Sequence, residues 1–149
     1  MIIDMFESLI DESSPTVSNL ANAASFLYNE LTDISWVGFY ILKNQTLYLG
    51  PFMGKPACLR IALGKGVCGT CAESKQIQIV PNVHKFPGHI ACDSASNAEI
   101  VLPIIIDEKV VAVLDIDSAS FNRFNDNDAL LLQKVCEILQ HKCSWSNLC

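Results

Sequence analysis

Nowhere in the 149 residues does an apolar run approach the roughly 20 needed to cross a bilayer. The opening stretch, MIIDMFESLIDESS, has no basic residue and carries Asp4, Glu7, Asp11 and Glu12, so it is not a secretory signal. The compartment expected by default is therefore the cytosol. Positive charge is also in short supply. Ten Lys and Arg face sixteen Asp and Glu, for a net charge of −6, which disfavours nucleic acid and anionic membranes as partners. The chain lacks internal repeats and low-complexity segments. Charged residues make up only 17% and apolar ones 50%, enough for a core and too little charge for a disordered chain. The length fits one domain over residues 1–149.

What the chain has in plenty is cysteine: Cys58, Cys68, Cys71, Cys92, Cys136, Cys143 and Cys149. An odd number without a signal argues against a disulfide scaffold. Three readings stay open for these thiols: inert and buried, metal-ligating, or redox-active.

Residues 2–12 and then Val17 to Leu31 carry apolar residues at helical spacing, the second run opening with Ser14 as cap and Pro15 as first helical residue. From Ser35 the pattern turns to strands: 36–42 and 46–49 as a hairpin, then 59–62. Gly64-Lys65-Gly66 leads into a helix over 67–74, and residues 76–80 form another strand. Residues 81–98, PNVHKFPGHIACDSASNA, read as a long functional loop. A hairpin of 99–106 and 110–116 and a helix capped by Asn125 complete the chain. The order predicts an α/β (α+β) domain, a central mainly antiparallel sheet with flanking helices on one side.

Cys68-Gly-Thr-Cys71, with His84 and His89 downstream, matches a zinc-finger expression. Its core positions hold Lys75 and Pro81, and Pro81, Pro87 and Gly88 break the helix the histidines need, so the spacing weighs little. Cys68 opens a helix, where the N-terminal dipole lowers a thiol pKa; taken alone, a small buried residue in a Gly-rich packing turn is the better reading. Cys92 sits in the long loop and Cys58 in a shorter one. Cys136 reads as helix packing, and Cys143 and Cys149 near the end carry no assigned role. Asp115 and Asp117 share one face of a strand, with Glu99 opening the neighbouring one. Solvated strand ends are the commoner reading of such acids; binding an ammonium group or lending a proton is the functional one. Trp36 and Tyr40 fit a core, or a pocket enclosing a methyl or thioether.

The segments WVGFY, LGPFMGKPAC, GKGVCGT, VHKFPGHIACD, SNAEIVLP and VLDIDS, in this order over about residues 15–140, resemble the free methionine-(R)-sulfoxide reductases, a family built on a GAF domain. The resemblance implies a substrate, free methionine-(R)-sulfoxide, and a GAF-like fold. It implies Cys92 as the attacking thiol, Cys58 as its resolver and Cys68 as a third, alternative resolver. It implies Glu99, Asp115 and Asp117 as the acidic substrate-binding cluster, and Trp36 and Tyr40 as aromatic pocket residues. Cys71 departs from the family pattern, where a small residue is usual. The helix-start argument picks Cys68 as nucleophile and the resemblance picks Cys92; the expectation follows the resemblance. Recycling by thioredoxin, no metal or organic cofactor, and a possible homodimer are further expectations. The rival from another class is a GAF module that senses a small ligand without turnover.

Overall fold

The strand Trp36–Lys43 (β1) lies inside a six-stranded sheet. The computed structural model describes residues 1–149 except 91, 93, 94, 147 and 149. Two helices come first, α1 (Ile2–Leu9) and α2 (Thr16–Glu30). After β1 follow β2 (Thr46–Met53), β3 (Arg60–Ala62), α3 (Gly66–Ser74), β4 (Gln78–Val80), β5 (Ala98–Ile106), β6 (Lys109–Ser118) and α4 (Asp126–Lys142). The strand order is β3-β2-β1-β6-β5-β4, and every neighbouring pair is antiparallel.

Alternation along the central strands sorts their side chains onto two faces. Val37, Phe39 and Ile41 of β1, Ala112, Leu114 and Ile116 of β6, and Ile100, Leu102 and Ile104 of β5 share one face with buried residues of α1, α2 and α4. Trp36, Tyr40, Val101 and Val113 share the other, against Val67, Cys68, Cys71 and Ala72 of α3. The expectation of helices on one side therefore fails for α3. The face it covers is itself rich in large apolar residues and needs a lid.

Several boundaries shift for local reasons. Pro15 is the cap of α2 rather than its first residue, and the Ser14 hydroxyl donates to Asp11 Oδ2 instead, at 2.7 Å. Strand β2 runs on to Met53, through Pro51. Proline is tolerated there because β3 pairs only with Thr46 to Tyr48, so Pro51 has no outer neighbour to serve. Asn125 caps α4 as expected, in a reciprocal capping box with Asp128. No helix among the described residues is long and apolar enough to cross a membrane.

The segment 81–97 holds one short helical turn, Val83–Lys85, and is pinned at its base. The Val83 N–H donates to the Asn97 carbonyl at 2.9 Å, and Asn97 Nδ2 donates to the Ala119 carbonyl at 2.7 Å. That second bond makes Asn97 Oδ1 the acceptor for His84 Nε2, 2.8 Å away. A long loop anchored this way can hold a reactive side chain over the sheet.

Candidate active site

The antiparallel register builds an acidic floor. Asp115 lies across from Gly38 on β1 and Val101 on β5, and Asp117 lies across from Trp36 and Glu99. Because period two puts residues 115 and 117 on one face, and register brings Glu99 opposite 117, three carboxyls meet on the α3 side of the sheet. Gly38, across from Asp115, leaves room for the aromatic wall beside them: a Cβ there would run into the Trp36 ring and Phe52. Glu99 is 8% exposed and Asp115 5%, so the solvated-end reading does not hold for either. Burial pushes the Glu99 carboxyl well above the usual range, and the charges of Asp115 and Asp117 push it further. Burial raises Asp115 as well, opposed by hydrogen bonds from Glu99, Cys68 and Asp117.

Aromatic residues form one wall and hold the loop above it. Trp36 stacks between Tyr40 and Phe52, with centroids 6.1 and 5.3 Å away. Its Nε1–H donates to the Lys55 carbonyl at 3.0 Å, and the Tyr40 hydroxyl donates to the Cys58 carbonyl at 2.9 Å. Both bonds tie residues 54–59 to β1. Gly54, at φ 132°, sits so close that a Cβ would reach within 2.6 Å of the Trp36 ring.

Two thiols are joined where that loop meets the segment 81–97: Cys58 and Cys92 form a disulfide, with Cα atoms 5.5 Å apart. Cys68 remains free and buried, its Sγ 3.9 Å from Glu99 Oε2. The expectation of a lowered Cys68 pKa is overturned. Burial raises it well above the ordinary thiol value, and Asp115, Glu99 and Asp117 raise it further. Burial first, and then acids on β5 and β6, outweigh the helix dipole. Cys71 is buried one turn on, its Sγ 3.7 Å from the Val101 carbonyl, and burial raises its pKa also. Cys136 packs inside α4 with a thiol pushed up to about 12 by burial. Cys143 is free and half-buried, and Cys149 lies outside the described residues.

The zinc-finger spacing assembles nothing. Among the described residues, the one group at metal-ligand spacing is Cys68, Glu99 and Asp115, without Cys71 or either histidine. His84 is engaged with Asn97 instead.

A cleft opens over this floor, lined by Trp36, Tyr40, Cys68, Cys92, Glu99, Asp115 and Asp117. Three further polar lining residues were not assigned to the site by the sequence reading. Lys65 caps α3 at the rim. His89 hangs from the long loop, its pKa lowered by burial and by His84 and partly restored by Asp115. Ser96 is 5% exposed, and its hydroxyl has no partner among the described residues. All three lie in motifs quoted above, Lys65 in GKGVCGT, His89 in VHKFPGHIACD and Ser96 in SNAEIVLP, but nothing in those stretches marked them as cleft residues.

Residues 17–140 match the GAF domain model. A free methionine-R-sulfoxide reductase of Escherichia coli is 49% identical over 135 residues, covering 91% of this chain and 82% of its own length. One of Saccharomyces cerevisiae is 44% identical over 146 residues, covering 93% and 81%. The chain belongs to the free methionine-(R)-sulfoxide reductase family. A solved structure of that enzyme from Neisseria meningitidis in complex with its substrate superposes with a TM-score of 0.89, at 38% identity, covering 95% of this chain and 85% of that one.

The GAF fold is thus as the resemblance implied, and the residues carried over from the free methionine-(R)-sulfoxide reductases fall in one place. Trp36, Tyr40, Cys68, Cys92, Glu99, Asp115 and Asp117 line a single cleft, and Cys58 is bonded to Cys92 at its edge. Cys71, the departure from the family pattern, faces β5 and is not among the lining residues.

Proposed function

We propose that the cleft reduces free L-methionine-(R)-sulfoxide to methionine by thiol chemistry. The observation that carries the reading is a disulfide, Cys58–Cys92, at the edge of a cleft floored by three carboxyls. In the reduced enzyme the Cys92 thiolate attacks the sulfoxide sulfur. Glu99, kept neutral by its surroundings, donates a proton to the departing oxygen. The S–O bond of the substrate and the new S–S bond both break as an S–O bond forms on Cys92, so methionine leaves and Cys92 is a sulfenic acid. The Cys58 thiol then attacks the Cys92 sulfur and expels water, forming the disulfide. A thioredoxin-type dithiol reduces that disulfide by exchange and is itself oxidised. No metal or organic cofactor enters these steps.

The charged contacts select a free amino acid. Asp115 and Asp117 suit the ammonium group that a peptide-bound methionine lacks. Trp36 and Tyr40 suit the thioether and its methyl. Fixing the sulfur, the oxygen and the ammonium together distinguishes the two sulfoxide epimers.

A GAF module that binds a ligand without turnover is the competing reading. An assay of both free epimers with wild type and Cys92→Ser separates them. Thioredoxin-dependent release of methionine from the R epimer, little from the S epimer and none from Cys92→Ser is the expected result. No turnover by wild type would leave the sensor reading standing.

A further inference from the structure

Beneath the disulfide, the ligating atoms of Cys68, Glu99 and Asp115 all lie within 4.8 Å of one another, and all three residues are buried. The Cys68 Sγ to Glu99 Oε2 distance is 3.9 Å. One sulfur and one oxygen on a tetrahedral zinc stand about 3.5 Å apart, given bonds of about 2.3 and 2.0 Å. A cation there needs the Cys68–Glu99 pair to close by about 0.4 Å and no pair among the three to close by more than about 1.5 Å. Two buried polar atoms on residues lining the same cleft lack hydrogen-bond partners among the described residues. Asp115 Oδ1 takes no hydrogen bond among the described residues, and neither does Ser96 Oγ, each on a residue 5% exposed that lines the cleft. Buried polar atoms are normally satisfied, so this pair points to a ligand that supplies what the protein does not.

We infer that Cys68, Glu99 and Asp115 form a site for a thiophilic divalent cation of the Zn2+ or Cd2+ kind, with its fourth position open to the cleft. A sulfur donor and three protein ligands disfavour Mg2+ and Ca2+, which take six or more oxygen donors. The cation displaces the protons of the thiol and of Glu99, so binding releases protons and strengthens as pH rises. Cys58 and Cys92 are not needed, because their sulfurs are bonded to each other. The cation takes no part in the reaction. By occupying Glu99 and Asp115 the cation excludes substrate, a consequence that rests on the proposed function, whereas the binding rests on geometry alone.

The test uses the disulfide-linked protein, freed of reductant and titrated with Cd2+. One ion per chain is expected, with a thiolate-to-cadmium charge-transfer band in the ultraviolet and a raised melting temperature. Cys68→Ser should abolish the band, Asp115→Asn should weaken binding, and Cys71→Ser should leave both unchanged. A cadmium resonance in the region of a single sulfur ligand makes the same point on wild type, without any variant. No binding, a band that survives Cys68→Ser, or a resonance showing two or more sulfur ligands would overturn the site. In the reduced enzyme, inhibition competitive with substrate and reversed by a chelator is expected. Binding without competition upholds the site and counts instead against the substrate roles of Glu99 and Asp115.

Discussion

The hydroxyl of Tyr40, on a central strand, donates to the carbonyl of Cys58 on the loop above it, 2.9 Å away. Tyr40 is 2% exposed, and burial with the neighbouring acids raises its pKa, so the hydroxyl stays a donor at every working pH. The bond fixes the backbone of one disulfide partner to the sheet that carries the acidic floor. Removing it should cost about 1 kcal/mol of positioning. Tyr40→Phe should therefore slow closure of the Cys58–Cys92 disulfide about fivefold while leaving the fold intact. Rapid-quench analysis of disulfide formation after one addition of substrate checks this. Closure at the wild-type rate would remove Tyr40 from the positioning of Cys58.

Asp117 sits opposite both Trp36 and Glu99, where aromatic wall and acidic floor meet. If it receives the substrate ammonium, Asp117→Ala loses a charged contact worth on the order of 2–3 kcal/mol. Turnover of free methionine sulfoxide should fall far more than stability does. Measuring kcat/KM beside the denaturation midpoint separates the two. An unchanged kcat/KM in a folded variant would take Asp117 out of the site.

The acidic floor was legible in the sequence because a strand has a strict period of two, which alone put Asp115 and Asp117 on one face. Its burial was not legible, since that depends on α3 and the loops closing over it. Placing α3 on the far side from the other helices was out of reach too. Its buried side is made of Val67, Cys68, Cys71 and Ala72, among small residues that look alike on every face. The Cys68 thiol shows the same limit. Its helix position was readable, but the burial that overrides the dipole, and the carboxyls of β5 and β6 that add to it, are set by the tertiary fold. The meeting of Cys58 and Cys92 came from family resemblance, not spacing. Thirty-four residues separate them, and only the tethering of the two loops brings them together.

Glu99 links pH to both stability and rate. Its folded pKa lies above the ordinary 4.5, so the folded state holds a proton that the unfolded state gives up. The stabilisation is complete below 4.5 and is lost as pH rises from there through the raised value. Glu99→Gln keeps the neutral shape and removes that loss. The variant should gain stability over wild type as pH climbs above the carboxylate range. It cannot donate a proton to the sulfoxide oxygen, so its turnover should drop about a hundredfold or more. Denaturation midpoints across a pH series, beside kcat, check both halves. A parallel pH profile for the two proteins would mean that Glu99 is ionised in the fold.

The order of the cysteines is tested by what each variant does in its first turnover. Attack requires only the Cys92 thiolate, so Cys92→Ser should release no methionine at all, even without reductant. Cys58→Ser should release one equivalent and stop, its Cys92 stranded as a sulfenic acid that a dimedone-type reagent traps. Cys68 is expected to be a poor alternative resolver. It lies buried against Glu99 with its pKa raised, so little thiolate is available for attack. Steady-state recycling in Cys58→Ser should therefore fall far below wild type rather than be rescued. The measurement is a reductant-free burst followed by mass spectrometry of the oxidised protein. A Cys58–Cys92 bridge should dominate in wild type, where the Cα atoms already stand 5.5 Å apart. A full burst from Cys92→Ser, or a dominant Cys68–Cys71 bridge, would make the C-x-x-C pair the working dithiol and reverse the order. Both its thiols are buried and raised in pKa, with Cys71 turned to the Val101 carbonyl, so that outcome requires α3 to open first.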